Sequence, residues 1–299
     1  MISVVIPTVD RADLLSAALR SLAEQTYLDF EAIVVNDGGD SVAHAIDSIR
    51  PRFPVNLVDT PHRCGVSHAR NVGIEYASGQ HIAFLDDDDV FLPWHLATAA
   101  TALDSGELDC VYLGALVSDR RIATLPPDWH VMRRKAYPFN DRFLLVANYI
   151  HTGSVVARNF RSSSVRFDES LSHCEDWNMW LSLRHCLGYR LGFVDKVSSV
   201  YHQVSDIEGL VSHGQSVTPS PFSIARQLIY SRWCVGDSHV GAYREWMTGF
   251  DAYCNEMVEQ GIDVPLAIFD RAVRELHAGF IAGRTPARDL IPRLFTGDG

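Results

Sequence analysis

Four short apolar runs, ISVVIP (2–7), FEAIVV (30–35), VNLVD (55–59) and HIAFL (81–85), recur along the first 85 residues. The first three are each followed by a stretch with apolar residues at helical spacing: RADLLSAALRSLAEQ (11–25), SVAHAIDSI (41–49) and GVSHARNVGIEYA (65–77). A strand that is apolar almost throughout has no face suited to water. This pattern predicts an α/β fold with a mostly parallel central sheet, helices on both faces and right-handed crossovers. Ligands of such sheets sit outside the carboxyl ends of the strands. Three polar clusters fall there: TVDR (8–11), NDGGD (36–40) and the four aspartates Asp86, Asp87, Asp88 and Asp89.

Farther along, LDCVYLGALV (108–117), HTGSVVAR (151–158) and YRLGFVDKVSSVYH (189–202) read as extensions of the same sheet, with a helix in CEDWNMWLSLRHCLG (174–188). Beyond about residue 220, FSIARQLIYSRWCV, VGAYREWMTGFDAYCNEMVEQG and PLAIFDRAVRELHAGFIAG read as three helices, punctuated by Gly236, Gly261 and Pro265. The expected organisation is one α/β domain over 1–215, with halves at 1–105 and 106–215, followed by a helical subdomain over 216–299. A hydrophobic content of 47% suits a packed globular chain, and a net charge of -11 argues against general affinity for nucleic acid or anionic membrane. The six cysteines are scattered without a C-x-x-C pair, and no apolar run approaches the roughly 20 residues that span a bilayer. A cytoplasmic protein with reduced thiols is expected.

The aspartate tetrad is costly. At about 5 Å and an effective dielectric near 20, each pair of ionised carboxylates repels by roughly 3 kcal/mol. A helix start near Pro93 explains one capping aspartate. A hard divalent cation shared with a diphosphate explains the others better. Asp37 fits an ordinary Asp-Gly turn or a carboxylate that accepts from a base or ribose. Arg63 and Arg70 stand beside a helix N-terminus, as surface ion pairs or as cations for an anionic ligand. Glu175 and Asp176 open a helix that should bury Trp177, Trp180, Leu181 and Leu183; they suit the helix dipole or the role of general base.

These clusters together resemble the family 2 inverting glycosyltransferases of the GT-A fold. The resemblance runs over about 2–205, through VVIPTVDRADLLSAALRSLAEQTYLDFEAIVVNDGG (4–39), GVSHARNVGIEYASGQHIAFLDDDD (65–89), HTGSVVAR (151–158) and CEDWNMWLSLR (174–184). It implies that Thr8, Asp10 and Arg11 lie near the nucleotide and that Asp37 reads the base. It implies that Asp86 and Asp88 are the D-x-D pair holding Mn²⁺ or Mg²⁺, with Asp87 toward the ribose or donor sugar and Asp89 a cap or support. Asp176 is then the base, and His202 a further metal or phosphate ligand, with His213 its rival. The family often has an aromatic residue where Val9 stands and a serine where Gly39 stands.

The reaction so implied is a single displacement at an anomeric carbon. The donor is a nucleoside diphosphate sugar, UDP- or dTDP-linked, and the acceptor a hydroxyl on a glycan, lipid-linked precursor or small metabolite. A sugar-phosphate nucleotidylyltransferase needs a glycine-rich basic loop after the first strand, and PTVDRADLL has no glycine. A non-catalytic nucleotide-sugar-binding protein leaves the Glu175–Asp176 pair unexplained. The C-terminal helices suit homodimer formation, closure over an acceptor, or contact with a membrane surface.

Overall fold

The computed structural model describes residues 1–49, 53–204 and 214–296; His213 lies outside the described residues. Nine strands form one sheet: β1 (Ile2–Thr8), β2 (Phe30–Asn36), β3 (Val55–Asp59), β4 (His81–Phe84), β5 (Val90–Phe91), β6 (Cys110–Ser118), β7 (Arg134–Lys135), β8 (Val155–Arg158) and β9 (Leu191–His202). Their spatial order is β3-β2-β1-β4-β8-β6-β9-β5, with β7 paired to β6. The first four strands are parallel, as their apolar runs require, and β1 is buried at every position. The longest ladder beyond them, β6 on β9, is also parallel, whereas β8 runs antiparallel to both β4 and β6.

The crossover helices are α1 (Ala12–Ala23), α2 (Ala43–Ile49), α3 (Val66–Tyr76) and α4 (His95–Asp104). On α1, Leu15, Ala18, Leu19 and Leu22 recur at helical spacing and pack with Ile2, Val4, Ile6 and Val34 of the sheet. A fully buried leucine contributes about 2 kcal/mol by this burial. The tetrad departs from expectation in one respect. It does not lead into a helix, because β5 intervenes and pairs antiparallel with β9 through Val90 and Phe91. Helix α4 starts only at His95, its N-cap is Trp94, and no side chain caps it. The capping role considered for Asp89 therefore falls away.

The chain divides into two compact units. The first holds residues 1–139, 150–169 and 179–203, and so the whole sheet. The second holds 140–149, 170–178 and 204–299. Helix α6 (Glu175–His185) gives its first four residues to the second unit and the rest to the first. Before it, α5 (Asp141–Leu144) is capped by Asn140, whose side chain accepts from Phe143 N–H.

The second unit also contains α7 (Pro221–Arg232), α8 (Ser238–Glu259), α9 (Ile268–Ile281) and α10 (Leu290–Phe295). The three expected C-terminal helices are present; α10, at six residues, is too short to show a period in sequence. Ser220 caps α7 ahead of Pro221, and Asp237 caps α8 by accepting from His239 and Val240 N–H. Tyr243, Met247 and Phe250 of α8 are buried, as are Val273, Leu276 and Phe280 of α9. Among the described residues no helix is long and apolar enough to cross a membrane, and all six cysteines are free thiols.

Candidate functional site

The turn between β4 and β5 resolves its four carboxylates one by one. Asp86 Oδ1 accepts from Arg70 Nη2 at 2.7 Å. Arg70 is buried on α3, with its guanidinium 5.2 Å from the centre of the Phe167 ring. Burial opposes charge on Asp86, yet the Arg70 cation and its hydrogen bond hold the carboxyl below its ordinary value. Asp87 is 1% exposed; its Oδ2 accepts from Thr8 Oγ1 at 2.7 Å and Arg11 Nε at 3.1 Å, and its Oδ1 lies 2.6 Å from Arg11 Nη2. Burial pushes Asp87 up to about 6 against these partners.

Asp89 is buried too. It accepts from His202 N–H at 2.8 Å, and its other oxygen lies 3.1 Å from His151 Nε2, an ion-pair distance without hydrogen-bond alignment.

Asp88 is the exception. Its carboxylate keeps 29% exposure, and its only ion-pair contact among the described residues is Arg11 Nη1 at 3.5 Å. Buried surroundings, then the charges of Asp89, Asp86 and Asp87, push it up to about 8. Three members of the tetrad thus have partners within the fold, and the surplus negative charge falls on the fourth.

His202, expected as a ligand, is occupied differently. Its Nδ1 lies 2.6 Å from the Asp88 carbonyl, and its Nε2 receives Ile122 N–H at 3.1 Å. Both ring nitrogens are engaged with backbone, so in this arrangement neither offers a lone pair to an ion, and the ring braces the Asp88 turn.

A second cluster lies at the ends of β1 and β2. Asp37 is buried and its carboxylate accepts from Cys64 N–H (3.0 and 3.2 Å), Gly65 N–H (2.7 Å) and Thr60 Oγ1 (3.3 Å). It ties the end of β2 to the entrance of α3. Asp10 pairs with Arg63 and also accepts from Asp40 N–H at 2.7 Å. Its backbone is left-handed, φ 53°.

Of the two glycines after Asp37, Gly38 is required sterically, whereas a Cβ at Gly39 would meet the movable end of a side chain. Gly38 has φ 68°, and a Cβ there would sit 2.3 Å from the His62 carbonyl carbon; a Cβ on Gly39 would sit 2.5 Å from Asp10 Oδ1. The glycine at 39 thus belongs with the conformation of Asp10.

In the second unit, Asp176 stands in the first turn of α6. Asn148 Nδ2 donates to its Oδ2 at 2.8 Å, and Trp177 N–H to its Oδ1 at 2.7 Å. Glu175 precedes it on the same turn. Trp177, Trp180, Leu181 and Leu183 are all fully buried, as their spacing predicted.

The structure thus gathers Thr8, Arg11, Arg70, Asp86, Asp87, Asp88 and His202 around one turn. It sets Asp10, Asp37 and Arg63 at the neighbouring strand ends and carries Glu175 and Asp176 on α6. Sequence reasoning gave no role to His151, the first residue of HTGSVVAR, or to Asn148 three residues before it.

The family model for glycosyl transferase family 2 matches residues 3–167. The chain belongs to glycosyl transferase family 2. A relative in this family, the uncharacterized glycosyltransferase YwdF of Bacillus subtilis (strain 168), is 30% identical over 205 residues, 67% of this chain and 73% of its own length. Among solved structures, S. aureus TarS 1–349 in complex with UDP-GlcNAc matches with TM-score 0.61 and 18% identity, covering 84% of this chain and 72% of that one. Against the longer TarS chain the match spans 43% of that chain. The mannosyltransferase PcManGT from Pyrobaculum calidifontis, in complex with GDP-Man and Mn²⁺, matches with TM-score 0.57 and 18% identity over 98% of this chain and 84% of that one. The mixed sheet with its flanking helices is the GT-A fold of these glycosyltransferases.

The donor set of the family 2 site suits a hard divalent cation. Asp88 supplies a partly exposed carboxylate under strong repulsion, and Asp86 lies two residues away on the same turn. Among the described residues no three histidine, cysteine or acidic side chains form a preformed metal cage. Mg²⁺ and Mn²⁺ are held by one or two protein carboxylates, with substrate phosphates and water completing the sphere.

Proposed function

We propose that this glycosyltransferase is an inverting, metal-dependent enzyme. It takes a hexosyl or hexosaminyl group from a UDP- or dTDP-sugar to an acceptor hydroxyl. The observation that carries the reading is the asymmetry of the tetrad: the carboxylates of Asp86, Asp87 and Asp89 accept hydrogen bonds within the fold, whereas that of Asp88, partly exposed like Asp86, meets only Arg11 Nη1 at 3.5 Å among the described residues. A surplus carboxylate at the carboxyl end of a GT-A sheet suits an incoming Mn²⁺ or Mg²⁺. Bound there, the ion supplies charge neutralisation at the departing diphosphate.

In this reading Asp88, with Asp86, holds the ion. Arg11 and Thr8 fix Asp87 toward the ribose or donor sugar. Arg70 keeps Asp86 ionised, and His202 braces the turn rather than ligating. Asp37, with the Cys64 and Gly65 amides it holds, forms the nucleobase end of the site, and Asp10 and Arg63 line the neighbouring rim.

Asp176 accepts the proton of the acceptor hydroxyl as that oxygen attacks the anomeric carbon. Asn148 orients its carboxylate and Glu175 flanks it. Catalysis is assigned to residues 1–215 and a helical supporting role, including homodimer contact, to 216–299. The free cysteines support a reducing, cytoplasmic setting.

The decisive test is Asp176→Asn. Nucleotide binding should persist while kcat for transfer falls by about 10²–10⁴, the share that a general base contributes. Unchanged transfer removes Asp176 from the role. A screen of nucleoside diphosphate sugars for Mn²⁺-dependent hydrolysis identifies the donor, and nucleotide binding without any turnover favours a non-catalytic binder instead.

A further inference from the structure

Residues 140–149 belong to the second unit and carry Asn148, whose side chain donates to Asp176. The segment is closed on itself: Tyr149 Oη receives Asn140 N–H at 2.9 Å and donates to the Asn140 carbonyl at 3.1 Å. Within it, the carbonyls of Arg142 and Phe143 accept from main-chain N–H groups of the next turn. The following three lie at the end of α5, where a helix leaves its last carbonyls without main-chain partners.

Each of those three carbonyls accepts from a side chain on a different helix. Trp177 Nε1 of α6 donates to Leu144 at 2.7 Å, Arg244 Nε of α8 to Leu145 at 2.7 Å, and Tyr230 Oη of α7 to Val146 at 2.6 Å. Asn148 stands two residues beyond the last of them.

Packing alone does not account for Arg244. It is 8% exposed and joins no ion pair among the described residues. Its hydrogen bonds go to the main-chain carbonyls of Leu145 and, at 3.4 Å, Tyr230, and its Nη2 is buried without a partner. A buried cation without a carboxylate is costly, and an apolar side chain of similar volume would fill the space at less cost. What the arginine adds is a fixed donor. Its guanidinium lies 4.3 Å from the centre of the Tyr230 ring, so the two side chains that grip the segment also hold each other.

The two oxygens of Asp176 are held in different ways. Oδ1 accepts from Trp177 N–H, which moves with the same helix, and Oδ2 accepts from Asn148, 28 positions earlier. The second donor goes where the 140–149 segment goes. We propose that Tyr230 and Arg244 are positioning residues for the general base: they clamp the segment so that Asn148 fixes Asp176 Oδ2. The C-terminal helices then take part in the transfer step through this clamp, beyond supporting the fold. The inference rests on the reading of Asp176 as the base.

The test is a double-mutant cycle on the full-length enzyme. The substrate is the nucleoside diphosphate sugar that shows Mn²⁺-dependent hydrolysis in the donor screen, with water in the place of the acceptor hydroxyl. Tyr230→Phe removes the hydroxyl and keeps the ring beside Arg244. Its kcat should fall about ten- to a hundredfold, as a small displacement of a reacting group does, while donor KM and UDP binding stay within about twofold. In an Asp176→Asn background the same substitution should change the residual rate by less than about twofold, because the group it positions is gone. Arg244→Met should repeat both results.

Tyr243→Phe is the control. It removes a like bond in the same unit, from Tyr243 Oη to the Arg284 carbonyl at 2.9 Å, and should lower the melting temperature without changing kcat. Wild-type kcat in Tyr230→Phe, an equal fold-loss in both backgrounds, or an equal loss in Tyr243→Phe overturns the proposal and leaves Asp176 as the base. Wild-type turnover by Asp176→Asn, or no turnover with any donor, overturns the base assignment itself and the clamp with it.

Discussion

The aspartate turn of the first unit and the core of the helical unit both bury charge, and they handle it in opposite ways. In the helical unit Arg226, 2% exposed, meets Asp251 at 2.6 Å, and its guanidinium lies over the rings of Trp177 and Phe269. One cation meets one carboxylate. At the turn four carboxylates meet the guanidinium groups of Arg70 and Arg11, and Asp88 carries the excess. The Arg226–Asp251 pair matches its charge internally, whereas at the turn the carboxylates outnumber the arginines that meet them.

The matched pair gives the largest predicted effect. Asp251→Ala leaves Arg226 buried and uncompensated, and should cost about 3–5 kcal/mol in urea unfolding. A cost below about 1 kcal/mol would show that Arg226 is not bound to its partner and would break the contrast.

The next effect concerns a buried group held neutral. His95 is fully buried, its ring stacks 3.7 Å from that of Phe91, and its Nδ1 lies 2.9 Å from Ser198 Oγ. Burial depresses its proton affinity from 6.5 to about 3. The unfolded chain therefore takes up this proton first. The associated stability is whole above about pH 6.5 and is lost as pH falls toward 3, by a few kcal/mol at the acid end, using about 1.4 kcal/mol per unit. Unfolding free energy measured from pH 7 to 4 should decline less steeply in His95→Gln than in the wild type.

The surplus carboxylate gives a smaller and opposite effect. Asp88→Asn removes repulsion and should not lower the melting temperature of the metal-free protein. Mn²⁺ at about 100 times its Kd should stabilise the wild type by about 2.7 kcal/mol and leave Asp88→Asn nearly unmoved. Equal stabilisation of both proteins would move the ion away from Asp88.

The smallest effect sharpens the arrangement within the turn. Thr8→Val removes one hydrogen bond to Asp87 while Arg11 keeps its two contacts, and should cost about 1 kcal/mol by denaturant unfolding.

Much of the fold was legible in local pattern. The strands of the parallel half, the buried face of α1 and the four aromatic and leucine positions of α6 follow from hydrophobic runs and spacing, because a chain segment must bury its own apolar face whatever surrounds it. The long helices α7, α8 and α9 were legible for the same reason. Strand β5 was not: two residues carry no period, and Val90 and Phe91 are a strand only because β9 lies beside them. The capping role for Asp89 failed on the same ground.

For the site, sequence by itself determined which residue types stand at the strand ends and on the first turn of α6, since strand length and helix phase are local properties. The charge state and freedom of each residue depend on partners 33 to 114 positions away, and only the tertiary structure could supply them: Thr8 and Arg11 to Asp87, Arg121 and His202 to Asp88, His202 to Asp89. A carboxylate's proton affinity is set by burial and neighbouring charge, both properties of the assembled fold. Four identical letters in sequence thus become three aspartates whose carboxylates accept hydrogen bonds within the fold and one, Asp88, met only by Arg11 at 3.5 Å among the described residues.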